Sequence, residues 1–373
     1  MAHHWKLLMV VAATASLSVV GAVGAVGAQA APAPTCTKNV DGIGLSASVV
    51  AQSNQMIVNR TVNATGCDIG IYIGPNVKNV TINRVTVTGA NFDGILAQRT
   101  TYLTVKNSTV TGNAFHTIDP SAPALPGSGV HSRVAQSFGI SLFGVSHSTI
   151  THNNVYNNGR GGIGVMDIGP FNPGALTQNP KAMPAASAND VISNNTLTKN
   201  YNGCAVVVAT QNPGGRIVAM SISGNTITGT GMSKTWGPDL GGIVVAANTP
   251  GSSAVGVSVH RNTVTRSAEG AIVVNAESFN AHTWGVTIDA NVLTGGNNWL
   301  SLEAPKTAGV IVFANPQAEV PPNMSAPRNQ ATLVWNNTIS GQFYGIWSVG
   351  DDVPLTLRNR IQVATGGTPI SHS

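Results

Sequence analysis

The sequence predicts an all-β fold in which short strands recur along the chain. Three observations support this prediction: the composition, a recurring glycine-led apolar run, and a recurring segment with asparagine at one position. Only 9% of the 373 residues are charged, whereas Gly, Val, Ile, Thr and Asn are abundant. This composition favours β-strands joined by tight turns over a disordered chain.

The N-terminus is typical of an export signal. Lys6 precedes an apolar stretch, and Ala28 and Ala30 form a small-residue cleavage site, so residues 1–30 are expected to be a signal peptide. An uncleaved membrane anchor is the alternative. We expect a secreted or periplasmic protein that is free of the membrane after cleavage. Cys36 and Cys67 could then form a disulfide, and Cys204 is expected to be a buried apolar residue.

The charge balance is mildly basic. The chain has 19 Lys and Arg against 14 Asp and Glu, a formal net charge of +5, and loss of Lys6 with the signal lowers it to +4. This excess is compatible with an anionic ligand. No basic run indicates nucleic acid as a partner.

A glycine followed by a short apolar run predicts one strand of each repeat. The run begins at Gly70, Gly94, Gly139, Gly162, Gly203, Gly242, Gly270 and Gly345, and Trp299 replaces the glycine once. The shortest spacings lie in the twenties, which is typical of a solenoid. The L-x-x-L-x-L frame of a leucine-rich repeat is absent, so each unit is expected to be one coil of a parallel β-helix.

A second strand and a corner follow from segments such as "MSISGNTITG" (220–229). Met220 and Ile222 share one face of a strand, whereas Ile227 lies an odd number of residues further on, which predicts a corner at Asn225. Alignment of the copies places asparagines in one column: Asn153, Asn195, Asn225, Asn262, Asn291 and Asn337, with Ser108 in an earlier copy. Each amide is expected to bond to the asparagine one coil away, in a ladder with a structural role.

From about Gly70 to Val363 this pattern resembles the right-handed parallel β-helix superfamily, the pectate-lyase-like fold. The resemblance implies a single-stranded right-handed parallel β-helix of about nine coils over residues 67–370, after a cap and lead-in over residues 31–66. Lyases, hydrolases, epimerases, phage tailspikes and non-catalytic proteins share that fold, so the resemblance implies no single activity.

The two strand types predict two different sheets. Outward residues of the middle strands are polar, so that sheet is expected to face water: Thr81, Thr104, Ser221, Ser258 and Thr287. Outward residues of the glycine-led strands are apolar, so that sheet is expected to be covered on both faces: Tyr72, Leu96, Val207, Val244 and Trp347.

Insertions flank the glycine-led sheet on both edges. They follow the strand at 168–190, 209–218, 247–254, 276–284 and 304–331, and precede it at 113–137 and 229–241. Three arrangements could cover the sheet: the loops themselves, a second copy of the chain, or a ligand in a groove between loop walls.

One insertion and two strand ends supply candidate catalytic residues. The insertion 112–136 carries His116, Asp119, His131 and Arg133. Arg99 and Asp167 end the glycine-led strands of coils two and four at equivalent positions, which places their backbones about 9.6 Å apart.

Lyases and epimerases of anionic polysaccharides remove the proton beside a uronate carboxylate and neutralise that carboxylate with a cation. His131 is the expected base, and Arg133 and Arg99 are the expected cations. The alternative is that these side chains are solvated or hold the loop in place.

The insertion 229–242 supplies candidate binding residues. Lys234 and Trp236 together suit stacking on a sugar ring with a charge contact, whereas Trp236 could equally anchor the loop on the apolar sheet. The acids are scattered, which leaves a calcium site unsupported, and His260 and His282 lack metal-ligand spacing, so no cofactor is expected.

These residues favour a carbohydrate-active protein, a lyase or epimerase acting on an anionic polysaccharide. The first alternative is a non-catalytic protein that resembles the NosD-type β-helices or a surface carbohydrate-binding solenoid. The second is a glycoside hydrolase, which needs two facing carboxylates; Asp119 and Asp167 are the candidate pair.

Overall fold

Short parallel strands wind around one axis in the computed structural model. It describes residues 35–114, 137–159, 161–169, 185–200, 203–230, 241–267, 270–296, 307–350 and 352–373. The chain divides into two units, residues 1–32 and 33–373, of which the first lies outside the described residues. A 3₁₀ turn at Val40–Gly42 precedes the strands, which are numbered here in chain order.

Sheet A contains the glycine-led strands. Within the described ranges it has eleven members, all parallel: β1 (Ala47–Val50), β3 (Ile69–Ile73), β5 (Asp93–Gln98), β8 (Phe138–Phe143), β11 (Gly161–Met166), β15 (Val206–Thr210), β19 (Gly241–Ala247), β23 (Gly270–Ala276), β27 (Ala308–Ala314), β31 (Tyr344–Val349) and β34 (Thr368–His372). The expected number was about nine, because β1 lacks a glycine and Pro369 interrupts the apolar run of β34.

Sheet B contains two columns of strands joined by a corner. The first column is β6 (Thr104–Lys106), β9 (Thr149–Thr151), β13 (Val191–Ser193), β17 (Ser221–Ser223), β21 (Ser258–His260), β25 (Thr287–Asp289), β29 (Leu333–Trp335) and β32 (Leu355–Leu357). The second column is β7 (Thr109–Thr111), β10 (Asn154–Tyr156), β14 (Thr196–Thr198), β18 (Thr226–Thr228), β22 (Thr263–Ser267), β26 (Val292–Gly296), β30 (Thr338–Ser340) and β33 (Arg360–Gln362). Two longer strands run through both columns: β2 (Met56–Asn63) and β4 (Thr81–Thr88).

Sheet C was not expected, and it lies inside the insertions that follow sheet A. Its described strands are β12 (Ser187–Ala188), β16 (Arg216–Val218), β20 (Ser253–Val255), β24 (His282–Trp284) and β28 (Arg328–Gln330). Five insertions therefore contribute a third parallel sheet. Pairing between coils satisfies backbone donors and acceptors that a free loop would leave to water.

The interior is one continuous apolar column. Ile95, Ile140 and Ile163 are direct register partners in sheet A, and each is fully buried. Sheet B faces them with Val87, Val110 and Val155 from successive coils. Each coil therefore buries its apolar residues against its two neighbours, which is how a solenoid is stabilised.

Close approach between sheets A and B explains the leading glycine. A Cβ atom on Gly94 would lie 2.6 Å from the carbonyl oxygen of Gly139 and 2.7 Å from Cγ1 of Val110. A side chain at this position would therefore push the two sheets apart.

Asparagine amides connect successive coils at the corner between the two columns of sheet B. Nδ2 of Asn225 donates to Oδ1 of Asn262 at 2.9 Å and to the carbonyl oxygen of Ile192 at 3.0 Å. Equivalent amide bonds of 2.9–3.1 Å link these residues in order: Asn153, Asn195, Asn225, Asn262, Asn291, Asn337 and Asn359. Asn359 was not anticipated.

A second asparagine column, also unanticipated, lies after the second column of sheet B. Nδ2 of Asn113 donates to Oδ1 of Asn158, and Nδ2 of Asn158 donates to Oδ1 of Asn200, both at 3.1 Å. All three side chains are fully buried. Asparagine therefore satisfies backbone groups at two corners of the coil.

Two positions differ from the sequence interpretation. The apolar run at Trp299 is not the sheet A strand of its coil, because β27, with Gly309, pairs with both β23 and β31; Trp299 lies outside the described residues. In addition, β1 and β2 already pair with β3 and β4, so the segment 31–66 contributes a coil in addition to a lead-in.

Candidate functional site

Most of the candidate residues lie outside the described residues. These are His116, Asp119, His131, Arg133, Lys234 and Trp236. Arg99 and Asp167 are described, and the outer face of sheet A is described along its whole length.

Arg99 and Asp167 occupy equivalent positions two coils apart. Gln98, Phe143 and Met166 are register partners in β5, β8 and β11, and Arg99 and Asp167 directly follow the first and third of them. Arg99 has a left-handed backbone, with φ of 47°, and is half-buried.

The carboxylate of Asp167 is fully buried and bound by the next coil. It accepts hydrogen bonds from the backbone N of Gln211 at 2.5 Å and from Nδ2 of Asn212 at 2.8 Å. Burial raises the pKa of Asp167 to about 6, against the opposing effect of these hydrogen bonds. In sheet A, the coil of β15 and the coil of Arg99 lie on opposite sides of the coil that contains Asp167. The hydrogen bonds of Asp167 therefore hold the turn at residues 211–212 and direct the carboxylate away from Arg99.

The N-terminal half of the outer face of sheet A is covered. Tyr72 and Leu96 are fully buried, and they pack in one cluster with Val40 and Leu45 from the segment before β1. Burial raises the pKa of Tyr72, and the neighbouring Asp41 raises it further. The residues around the 3₁₀ turn therefore help to cover Tyr72 and Leu96.

The C-terminal half of the same face is only partly covered. Phe313, Tyr344 and Trp347 are half-buried there. The rings of Tyr344 and Trp347 are stacked, with centroids 5.3 Å apart and an interplanar angle of 27°. Trp347 is the register partner of Ile311. Phe313 lies two residues after Ile311 on β27, so Phe313 and Trp347 are on neighbouring coils.

Polar groups lie beside Phe313 on the neighbouring coil. Asn275 is the register partner of Phe313, and its Nδ2 donates to Oε1 of Glu277 at 2.5 Å. Oδ1 of Asn275 is buried and has no hydrogen-bond partner within the described residues. We call Asn275, Glu277, Phe313, Tyr344 and Trp347 the aromatic patch.

The sequence pattern predicted one of the five residues of the aromatic patch. Trp347 was identified as an outward residue of a glycine-led strand, whereas Phe313 was missed because the strand of its coil was placed at Trp299. Asn275 and Glu277 were missed because they lie at the end of the strand and in the insertion that follows it. The alternation of β23 and β27 was the signal that could have found Asn275 and Phe313.

Metal-ligating residues and thiols do not form a site in the described part of the chain. No cluster of three or more His, Cys, Asp or Glu residues there could hold a metal ion. Cys204 is a buried thiol whose sulfur accepts a bond from the backbone N of Gly241 at 3.4 Å, and Cys36 and Cys67 form a disulfide. Within the same ranges, no helix has the length and apolar character that a membrane span needs.

Comparison with solved structures finds similar chains at low sequence identity. The A-module of a mannuronan C-5 epimerase from Azotobacter vinelandii is 15% identical, over 87% of this chain and 78% of its own, with a TM-score of 0.47. An alginate lyase from Paenibacillus is 13% identical, over 85% and 99%, with a TM-score of 0.48. A tailspike protein of E. coli bacteriophage HK620, in complex with a pentasaccharide, is 12% identical, over 90% and 55%, with a TM-score of 0.55.

At 12% identity, the match to the tailspike protein shows the fold alone. The search of curated proteins found no match. The family model described as "Right handed beta helix region" matches residues 42–264, which is more than half of the sequence. The chain therefore belongs to the right-handed β-helix family.

Proposed function

We propose that this protein is an exported, carbohydrate-active β-helix that binds a polysaccharide at the aromatic patch. The observation that carries the proposal is the half-exposed, stacked Tyr344–Trp347 pair on the partly covered half of the outer face of sheet A. The tailspike structure with a bound pentasaccharide gives an analogy for saccharide binding on this scaffold.

The chemistry of the patch suits a sugar chain. Tyr and Trp offer a broad apolar face together with a polar edge, and a sugar ring is likewise apolar on its faces and polar at its rim. The carboxylate of Glu277, which accepts a hydrogen bond from Nδ2 of Asn275, can also accept hydrogen bonds from sugar hydroxyls.

The reaction that we propose is that of a lyase or an epimerase on an anionic polysaccharide. Both reactions begin with removal of the proton beside a uronate carboxylate. His131 is the proposed base, and Arg133 and Arg99 are the proposed cations that neutralise the carboxylate. Lys234 and Trp236 are proposed to contact the same polymer.

A second candidate is a non-catalytic polysaccharide-binding solenoid. The geometry of Asp167 favours it, because that carboxylate is fully buried and bound by residues 211 and 212. Asp167 is thus employed in the fold, which also weakens the pairing of Asp119 and Asp167 that a glycoside hydrolase would need.

Export is part of the proposal. The disulfide between Cys36 and Cys67 supports it, because disulfides persist in oxidising compartments such as the periplasm and the exterior of the cell. A polysaccharide outside the cell would then be accessible to the protein.

A substrate panel tests the reaction. We expect incubation with uronate polysaccharides to produce absorbance from unsaturated sugar ends for a lyase, or a changed uronate ratio by NMR for an epimerase. Neutral polysaccharides are the control. Binding without any product would establish the second candidate, and new reducing ends without unsaturation would instead indicate a hydrolase.

A pair of tryptophan variants tests the binding surface. Trp347→Ala is expected to weaken polysaccharide binding about tenfold, because it removes one stacking face, whereas Trp347→Phe keeps most of the affinity. Trp284→Ala is the matched control, since Trp284 is 50% exposed on sheet C, away from the patch. Equal affinity of the two alanine variants, measured by calorimetry on folded protein, would exclude the aromatic patch.

A further inference from the structure

A second surface, on sheet B, is rich in cationic side chains, which the aromatic patch lacks. Cationic side chains lie on this sheet and at its two corners: Arg84, Lys106, His152, Lys199, His260, Arg261 and Arg266. We call these seven residues the basic face. All of them are exposed or half-exposed.

The register aligns these cations along the solenoid axis. Arg84, His152 and Arg261 occupy the same left-handed corner position in different coils, with φ between 54° and 56°. Five coil steps separate Arg84 from Arg261, which corresponds to about 24 Å. Lys199 and Arg266 occupy the opposite corner, two steps or about 9.6 Å apart.

Backbone geometry does not explain the cations. Other coils place glycine at the same corners, for example Gly224 and Gly229, and glycine adopts a left-handed conformation without the cost of a side chain. Long basic side chains at these positions are therefore not required by the turn.

The positive charges are not neutralised by neighbouring acids. Arg84, Lys106, Lys199, Arg261 and Arg266 have no ion-pair partner in the part of the chain that the structure describes. On sheet B and its corners, as far as they are described, the one acid is Asp289, which is the register partner of His260.

Hydroxyl groups lie between the two corners. The second column of sheet B carries outward threonines in three successive coils: Thr196, Thr198, Thr226, Thr228, Thr263 and Thr265. This strip is uncharged and rich in hydrogen-bonding groups, and it lies between Arg261 and Arg266 in one coil. A long ligand with regularly spaced anionic groups would meet cations at the corners and hydroxyls between them.

We propose that the basic face binds a linear acidic polysaccharide along the solenoid axis. Charge complementarity carries the proposal, and guanidinium groups pair with carboxylates or sulfates through two parallel hydrogen bonds. A single-stranded nucleic acid is less well matched, because it needs stacking platforms for successive bases and Tyr156 is the one aromatic residue in the described second column. This surface is separate from the aromatic patch, and the proposal does not rest on the proposed function.

A charge-reversal experiment tests it with the full chain. The triple variant Lys199→Glu, Arg261→Glu and Arg266→Glu is compared with a matched triple on other surfaces, Lys38→Glu, Lys78→Glu and Arg216→Glu. All six residues are exposed, and the two variants have the same net charge. The probe is fluorescently labelled polygalacturonate, with dextran as the neutral control and oligothymidylate as the nucleic acid.

We expect the first triple to bind polygalacturonate at least tenfold more weakly than wild type, with a shallower dependence of affinity on salt, because fewer counterions are released. The matched triple should change affinity less than twofold. Equal weakening of both triples would show a net-charge effect and overturn the proposal, as would no weakening of either.

Two further measurements keep the result interpretable. A Lys199→Gln, Arg261→Gln and Arg266→Gln variant with wild-type melting temperature should also bind weakly, which separates lost charge from lost folding. Trp347→Ala should leave the salt dependence of polygalacturonate affinity unchanged even where the affinity itself falls, whereas the first triple makes that dependence shallower, so failure of the aromatic patch and failure of the basic face are distinguishable. Tighter binding of oligothymidylate than of polygalacturonate, or equal binding of dextran, would overturn the acidic polysaccharide as ligand.

Discussion

At the scale of single residues, buried aspartates form hydrogen bonds between neighbouring coils. Asp93 accepts bonds from the backbone N of Phe138 at 3.1 Å and from Oγ of Ser141 at 2.5 Å, and Asp190 accepts from the backbone N of Ser148 at 2.7 Å. Burial raises the pKa of Asp93 and of Asp190 to about 7. In a chain with few charges these residues suggest catalysis, yet the contacts of these two, like those of Asp167, are structural.

Asp190 makes stability depend on pH with a defined sign. Its pKa is about 7 in the folded protein and about 4 in an unfolded chain, so the folded state binds more protons between these values. The free energy of unfolding therefore falls as pH rises from about 4 to 7. We expect Asp190→Asn to be more stable than wild type at pH 8, with a smaller loss of melting temperature between pH 4 and pH 8.

Asp352 provides a control of opposite sign. The hydrogen bonds from Arg328 lower its pKa, so its stabilising contribution is present at neutral pH and is lost as pH falls. Asp352→Asn should therefore be less stable than wild type at pH 8. An Asp190→Asn variant with an unchanged pH slope would contradict the account of that carboxyl group.

At the scale of structural elements, strands and corners have different roles in the coil. Strands of sheet B alternate buried and partly exposed residues, as β17 does with Ile222 between Ser221 and Ser223. The corner after them is held by an amide that no residue in the strand can replace, because it bonds to the coils on both sides. The alternation along each strand therefore determines which side chains are buried. The amide bonds at the corner fix the position of each coil relative to its neighbours.

Asn225→Ala tests the corner. Oδ1 of Asn225 accepts bonds from N and Nδ2 of Asn195, both at 3.0 Å, and these donors would lose their acceptor in a fully buried site. We expect a loss of about 3 kcal/mol in the free energy of unfolding, measured by denaturant titration. Asn154→Ala is the matched control, because Asn154 is exposed on β10 and should change stability by less than about 0.5 kcal/mol. Equal stability of the two variants would contradict the role of the amide column.

At the scale of the whole molecule, the outer face of sheet A is covered at its N-terminal end and partly exposed at its C-terminal end. The segment around Val40 and Leu45 packs on Tyr72 and Leu96, whereas the rings of the aromatic patch remain half-exposed at the other end. The disulfide between Cys36 and Cys67 attaches the covering segment to the coil of β3. The cover is therefore part of the same chain, and the half-exposed rings lie at the far end of the sheet from it.

Removal of the disulfide should release the cover first. The bond joins residues separated by 31 positions, and loss of such a closed loop costs about 4 kcal/mol. We expect Cys36→Ser with Cys67→Ser to raise hydrogen exchange in residues 37–50 while the strands of sheet B between residues 104 and 340 stay protected. Cys204→Ser is the control, since Cys204 forms no disulfide. Uniform loss of protection along the chain would show that the cover and the coils unfold together.

Much of the fold was predictable because its signals are local and repeated. The leading glycines, the period-two alternation of β17 and β21, and the asparagine column each follow from the contacts of one coil with the next. The limits of the stack were not predictable to the same extent, because β1 and β34 lack the full motif. The strand at Ala308–Ala314 was missed because a competing apolar run occurs at Trp299 in the same coil.

The candidate site was less predictable, since its composition depends on which residues of distant segments meet. Periodicity was sufficient to place Trp347 on the outer face, and register was sufficient to relate Arg99 to Asp167. Neither could show that Asp167 is bound by Asn212, that Val40 packs in one cluster with Tyr72, or that Phe313 and Asn275 lie side by side on the outer face of sheet A. The winding of this chain follows from interactions between neighbouring coils, which repeat in the sequence, whereas the covered and open surfaces follow from insertions and termini that occur once and leave no repeat to recognise.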